Sequence, residues 1–225
     1  MSAEDLCGNR PVSCPPAAYD CYTKTFVSAY DTLMIRRLAQ ECRHVERRLE
    51  LLDIGTGTAR LLLQIAATGQ FTSAALIGLE YFSDMAGQAW SNVLNSGLRQ
   101  RIQIVQGDAH ALPFDDNSFD IVVSRSTIHH FADPVRAIRE TYRVLRSEGV
   151  AIIHEVRRDA PAVVVHRFNT SRAAAGIGNS TKADKYTVQQ LQEFVSYAGI
   201  ADESTLRIAS AGYASLGMEL RIKKK

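Results

Sequence analysis

The ten residues from Leu51 to Arg60, LLDIGTGTAR, constrain this chain more than any other stretch. An apolar run that reads as a buried strand breaks into Gly55-x-Gly57, and a helical pattern opens near Thr58. Glycine lets the backbone take positive φ and meet a ligand with no Cβ in between. The helix that follows points its amides back at that ligand. A strand, a glycine turn and a helix in immediate succession predict a parallel α/β sheet whose ligand crevice lies at the carboxyl ends of the strands.

The rest of the chain supplies the remaining strands. Residues 1–17 hold Pro11, Pro15 and Pro16 among Gly, Asn and Ser and read as a mobile arm. From about Tyr19 to Arg48, apolar residues from Phe26 to Val45 recur at three- and four-residue steps, with Arg36, Arg37, Glu41, Arg43 and Arg47 on other faces. Two readings stand for these helices, a lid over the sheet or a layer packed on it. Strands are predicted at 75–79 ending on Glu80, at 102–105 running into Gly107-Asp108-Ala109, at 119–124 and at 150–156. Helices are expected at 83–98, from Pro134 to about Arg146, and at 162–175. Thr187 with Gln190 reads as a capping box opening a helix that stops at Gly199. Two closing strands, near 205–210 and 215–222, are joined too tightly to be anything but antiparallel. The fold expected is a doubly wound, Rossmann-like sheet of seven strands, mostly parallel with a C-terminal antiparallel hairpin, and helices on both faces. The arm and helical lid fall in 1–48, the ligand-binding domain in 49–225, and a substrate-side insertion in 157–185.

Composition narrows the partners. Over 225 residues the 26 basic and 24 acidic side chains leave a net charge of +2, too little field to steer nucleic acid or a membrane surface. Lys223-Lys224-Lys225 reads as a solvated tail. The first residues lack a basic segment followed by an apolar one, and no apolar run is long enough for a bilayer, so a cytoplasmic location is expected. Cysteines at 7, 14, 21 and 42 include no Cys-x-x-Cys pair, which points to free thiols rather than zinc or a dithiol.

The dinucleotide fingerprint Gly-x-Gly-x-x-Gly fails at Arg60, where its third glycine belongs. Glu80, 25 positions beyond Gly55, suits a ribose contact in more than one ligand family. The strand-end residues taken together are more specific. LLDIGTGTAR, IGLEYFSDM, QGDAHALPFDDNSFDIVVS and HHFADPVRAIRETYRVLRSEG, in that order, resemble the class I S-adenosylmethionine-dependent methyltransferases, on the small-molecule branch similar to the ubiquinone and menaquinone biosynthesis enzymes. The resemblance covers residues 49–156 and the terminal hairpin in outline. It implies S-adenosylmethionine as cofactor, with Gly55, Thr56 and Gly57 against its methionine part and Asp53 supporting the loop. Glu80 would take the two ribose hydroxyls, and Tyr81 would lie on the adenine face. Asp108 would accept from the adenine amino group, the Ala109 amide would donate to the ring, and Ser124 or its backbone would sit near the methionine amino group. The family often carries a third alternate glycine where this chain has Thr58, whose hydroxyl can instead cap the helix.

The activity implied is methyl transfer to O, N or C of a small-molecule acceptor. A methyl sulfonium is already electrophilic, so the protein need only align the acceptor and remove its proton where it has one. His129 and His130 are the base candidates because imidazole accepts a proton near neutral pH; packing of the loop is their other reading. His154 and Glu155 can orient substrate or form a buried pair, and Tyr22, with Tyr19, can close over the site or simply face the core. Arg157, Arg158, Arg167 and Arg172 surround the insertion and can attract an anion or face solvent. A cofactor-binding protein without methyl transfer, a macromolecule methyltransferase and a nicotinamide oxidoreductase remain as competing functions. No metal is implied, and the oligomeric state is open.

Overall fold

A computed structural model describes residues 28–174, 185–209 and 213–225. The chain runs α1 (Ser28–Cys42), β1 (Glu50–Ile54), α2 (Arg60–Ala67), β2 (Ala75–Glu80), α3 (Ser83–Asn95), β3 (Ile102–Gln106), β4 (Phe119–Arg125), α4 (Pro134–Val144), β5 (Leu145–Val156), α5 (Ala162–Ala174), α6 (Val188–Ala198), β6 (Ser204–Ile208) and β7 (Gly217–Lys223). One sheet joins all seven strands in the order β3-β2-β1-β4-β5-β7-β6. Strands β1 to β5 run parallel, while β7 is antiparallel to both β5 and β6. The doubly wound, mostly parallel sheet expected from the sequence is the sheet observed.

Strand alternation divides the core into two layers. Leu51, Leu76, Ile121, Val123 and Ile152 meet Met34 and Leu38 of α1, Leu62 and Ile65 of α2 and Val93 of α3. Leu52, Ile54, Val122 and Ile153 meet Ile138 of α4 with Leu191 and Phe194 of α6 on the other face. Central strands buried on both sides explain why β1 and β4 read as continuous apolar runs rather than alternating ones. The Thr187 capping box is present in both its halves, and α6 closes on Gly199 at φ 80°.

Two boundaries and the C-terminal lysines differ from expectation. Helix α2 opens at Arg60 rather than Thr58, because Ala59 still lies in the turn at φ 63° and no side chain caps the helix. The residue in the third left-handed position of the turn is therefore Ala59, after Gly55 at φ 71° and Gly57 at φ 59°, and Thr58 is not its cap. Strand β5 begins at Leu145, directly on the end of α4, and kinks at Glu148, whose φ is 62°. The terminal lysines are no free tail: Lys224 Nζ donates to the carbonyls of Tyr142 and Leu145, at 3.0 and 2.7 Å, and closes the end of α4.

Helix α1 is a packed layer. Besides its apolar stripe it carries Asp31, fully buried, which accepts from Arg60 Nη1 and, at 3.2 Å, from Arg125 Nε. Arg37 pairs with buried Glu219, and Arg221 donates to both carboxylate oxygens of Glu41 at 2.7 and 2.8 Å. Residues 1–27, with the proposed arm, Tyr19, Tyr22 and three of the cysteines, lie outside the described residues. Cys42 is a buried free thiol whose pKa burial pushes up to about 12.

Candidate functional site

A cavity of about 300 Å³ opens at the carboxyl ends of β1, β2 and β3, beside the topological switch where β1 neighbours both β2 and β4. The chain reaches it by turning sharply. Gly55 N–H and Thr56 N–H both donate to the Leu79 carbonyl, at 2.8 and 3.0 Å, which pins the glycine turn to the end of β2. Gly55 is required twice over: its φ is left-handed, and an added Cβ would lie 2.1 Å from Thr127 Cγ2 on the loop after β4. The close approach that a third glycine gives in dinucleotide folds occurs one strand away. At Gly78 a Cβ would sit 2.8 Å from Thr56 Cγ2 and 2.9 Å from Leu62 Cδ1.

Glu80 organises the floor. Its carboxylate accepts from Gly57 N–H at 2.9 Å through Oε2, and from Tyr81 and Phe82 N–H at 3.0 and 3.1 Å through Oε1. Burial raises its pKa, and those three amides oppose the rise. Asp53 lies under the turn, 2% exposed, where its Oδ2 accepts from the Thr56 hydroxyl at 2.8 Å. Its Oδ1 is buried with no hydrogen-bond partner among the described residues. Burial pushes the Asp53 carboxyl up to about 7 against the Thr56 bond and the nearby Arg60 charge.

Gly55, Gly57, Glu80, Tyr81, Asp108 and Ala109 line the cavity together. Tyr81 is 57% exposed and packs edge-on to Phe82, with ring centroids 5.4 Å apart. Thr56 lies just beneath the lining, spent on Asp53. Ser124 is not brought to the cavity; its hydroxyl donates to the Ile54 carbonyl at 3.0 Å and ties β4 to β1. The two histidines part. His130 lines the cavity, whereas His129 is buried with Nδ1 2.6 Å from Glu155 Oε2.

Glu155 also accepts from Thr127 and Ile128 N–H, at 2.6 and 2.8 Å, so it fastens the whole loop that carries His130. Burial works upward on the Glu155 carboxyl, and His129, Lys185 and the Ile128 amide together hold it below its usual range. His154 leaves on the opposite face of β5, where burial, then Arg125 and Arg37, hold its pKa well below 6.5. Neither residue reaches the cavity, so their side chains serve the fold at this point. Arg157 stands 3.9 Å from Asp159, Arg158 donates to Gln190 at 2.7 Å, and Arg167 is exposed; the Arg172 side chain lies outside the described residues.

The sequence reading missed His110, Phe82, Met85, Ser126, Thr127 and Phe131, all of which line the cavity. Most lie in loops, where no periodicity marks them. His110 alone had a signal, since it stands two residues beyond Asp108 in QGDAHALPF.

A family described as a methyltransferase domain matches residues 52–153. The uncharacterized methyltransferase YcgJ of Bacillus subtilis is 35% identical over 126 residues, covering 56% of this chain and 46% of that protein. The chain thus spans about half the length of that relative. The ubiquinone/menaquinone biosynthesis C-methyltransferase UbiE of Idiomarina loihiensis is 27% identical over 186 residues, 79% of this chain and 71% of its own. A crystal structure of a SAM-dependent methyltransferase from Aquifex aeolicus superimposes with a TM-score of 0.66 at 14% identity, over 94% of this chain and 99% of that one. Among the described residues, no helix is long and apolar enough to cross a membrane.

Proposed function

We propose, from the premise that this chain carries a class I S-adenosylmethionine-dependent methyltransferase domain similar to those of the ubiquinone/menaquinone enzymes, that it methylates a small-molecule acceptor at oxygen, nitrogen or carbon. The convergence of Gly55, Gly57, Glu80, Tyr81, Asp108 and Ala109 on one cavity carries this reading. Carbon stands among the acceptor atoms because the Idiomarina relative is named a C-methyltransferase. The near-balance of 26 basic and 24 acidic residues favours a small metabolite over a nucleic acid.

The residues present suit the cofactor. The cavity's 300 Å³ is at the lower end of the range for small-molecule sites. The glycine turn leaves the backbone bare where the methionine part would lie, since a Cβ at Gly55 would meet Thr127, and Asp53 would support the turn from beneath. Asp108 and Ala109, which line the cavity, would present a carboxylate and an amide to the adenine edge, and Tyr81 would offer a ring to its face. When bound, S-adenosylmethionine supplies a methyl group on sulfonium, ready for in-line attack. The chain's own work is to hold the acceptor behind that methyl and to take up its proton. His130 is the proposed base, and the Glu155–His129 pair is the proposed support for its loop.

Parallel calorimetric titrations with S-adenosylmethionine, S-adenosylhomocysteine and the nicotinamide dinucleotides test the reading. Micromolar binding of the first two supports it; binding of a nicotinamide dinucleotide instead overturns it. A screen of acceptor classes for S-adenosylhomocysteine release follows, and tight cofactor binding with no release from any class favours a non-transferring binding protein. For an acceptor that loses a proton, we expect His130→Ala to lower kcat by on the order of 10²-fold while S-adenosylhomocysteine affinity changes little.

A further inference from the structure

We propose that His110 is a positioning residue for the adenine end of the cofactor, a neutral ring protonated only at Nδ1 that clasps the β3 loop to the start of α4. The inference rests on the cofactor assignment above and deepens it. The Nδ1 atom lies 2.5 Å from Asp108 Oδ1, and the Asp133 N–H donates to Nε2 at 3.0 Å. A main-chain amide can only donate, so Nε2 must be the unprotonated nitrogen and the ring hydrogen must sit on Nδ1. There it faces a carboxylate, the partner a ring N–H needs. The opposite tautomer would set two N–H groups against each other and remove the donor facing Asp108.

The clasp has consequences at both of its ends. On the strand side, the His110 amide also donates to Asp108 Oδ1, at 2.9 Å. Both of these bonds end on Oδ1, leaving Oδ2 with no hydrogen bond among the described residues and available to an exocyclic amino group. Burial works upward on this carboxyl, and the His110 bonds together with the nearby Arg136 charge bring it below its usual range, which keeps Asp108 an ionised acceptor. On the helix side, Asp133 caps α4 by accepting from Arg136 N–H at 2.9 Å. The ring therefore fixes the helix start and, through an edge contact at 5.8 Å, the Phe131 ring that lines the same cavity. Asp108, His110, Phe131 and Ala132 are held as one wall.

Nitrogen-15 NMR of the imidazoles in the full chain tests the tautomer, with His110→Asn identifying the signal. A protonated Nδ1 and an unprotonated Nε2 are expected; a protonated Nε2 or a rapidly averaging ring overturns the clasp. Calorimetry with S-adenosylhomocysteine tests the positioning. His110→Phe keeps the ring but neither nitrogen, and we expect affinity to fall about tenfold, or about 1.4 kcal/mol. His110→Asn keeps a donor at the δ position and should recover to within about threefold of wild type. A folded His110→Phe protein that binds like wild type overturns the proposal. A wild type that ignores S-adenosylhomocysteine sinks the cofactor assignment instead, and the tautomer measurement still decides whether the clasp exists.

Discussion

Glu80 shows what a single side chain must reconcile. A carboxylate offers about four lone-pair sites, and three main-chain amides already use this one. Receiving both hydroxyls of the proposed ribose contact would therefore mean loosening an amide bond, and the 3.1 Å contact to Phe82 is the longest of the three. Hydrogen bonds to a charged group are worth roughly 1.5–3 kcal/mol each. We expect Glu80→Ala to weaken S-adenosylmethionine binding by about that much in calorimetry; unchanged affinity in a folded variant would contradict the ribose assignment. Asp53 yields a pH prediction. Its folded pKa, about 7, lies above the unfolded value near 3.9, so its contribution to stability is complete below about pH 4 and is lost as pH rises toward 7. Denaturant titrations of wild type and Asp53→Asn at several pH values should show the wild type losing ground steadily over that window, with a slope of about 1.4 kcal/mol for each step of one in pH. A constant difference between the two proteins would contradict the burial of a titrating carboxyl. Both acids were legible in the sequence because each lies at the carboxyl end of a strand. Thr127 was not, because only the fold reveals that its methyl fills the space a Gly55 side chain would need.

At the level of elements, α1 is the part that sequence periodicity described least completely. Its apolar stripe was readable, and spacing put several charged residues on other faces without saying what they meet. Arg37 reaches Glu219, 182 positions away, and Asp31 holds Arg60 and Arg125 from two other elements. Ion pairs across such separations leave no trace in a local pattern. Asp31 is fully buried and its two arginine side chains are 14–15% exposed, so removing the carboxylate takes a shared buried counter-charge from both guanidiniums in a poorly solvated place. Urea unfolding of Asp31→Ala should show a loss of about 3 kcal/mol. Because Arg60 opens the helix behind the glycine turn, cofactor affinity should fall along with stability. A loss smaller than about 1 kcal/mol would mean that the pairs are surface-like in strength.

The whole molecule was the most legible level, since five runs of β-forming residues alternating with helical patterns admit few arrangements other than a doubly wound sheet. What spacing could not give was the order of the last three strands. The tight link required β6 and β7 to be antiparallel, yet it did not say which of them joins β5. Seven register pairs from Val150↔Lys223 to Val156↔Gly217 make β7 the interior strand. Deleting the residues from Gly217 onward should therefore strip β5 of its neighbour and orphan β6, and size-exclusion chromatography should find aggregate in place of monodisperse protein. A monodisperse truncation product would show that β5 tolerates an open edge.

The same placement has a consequence in time. A ribosome delivers β6 before β7, but β6 has nowhere to dock until β7 lies beside β5. The nascent chain can assemble the parallel strands and the cofactor crevice early, while a strand already synthesised waits in solution for the one that follows it. The sheet is sealed from within by a strand that arrives after its outer neighbour, so exposure to wrong partners is greatest between the synthesis of β6 and that of β7.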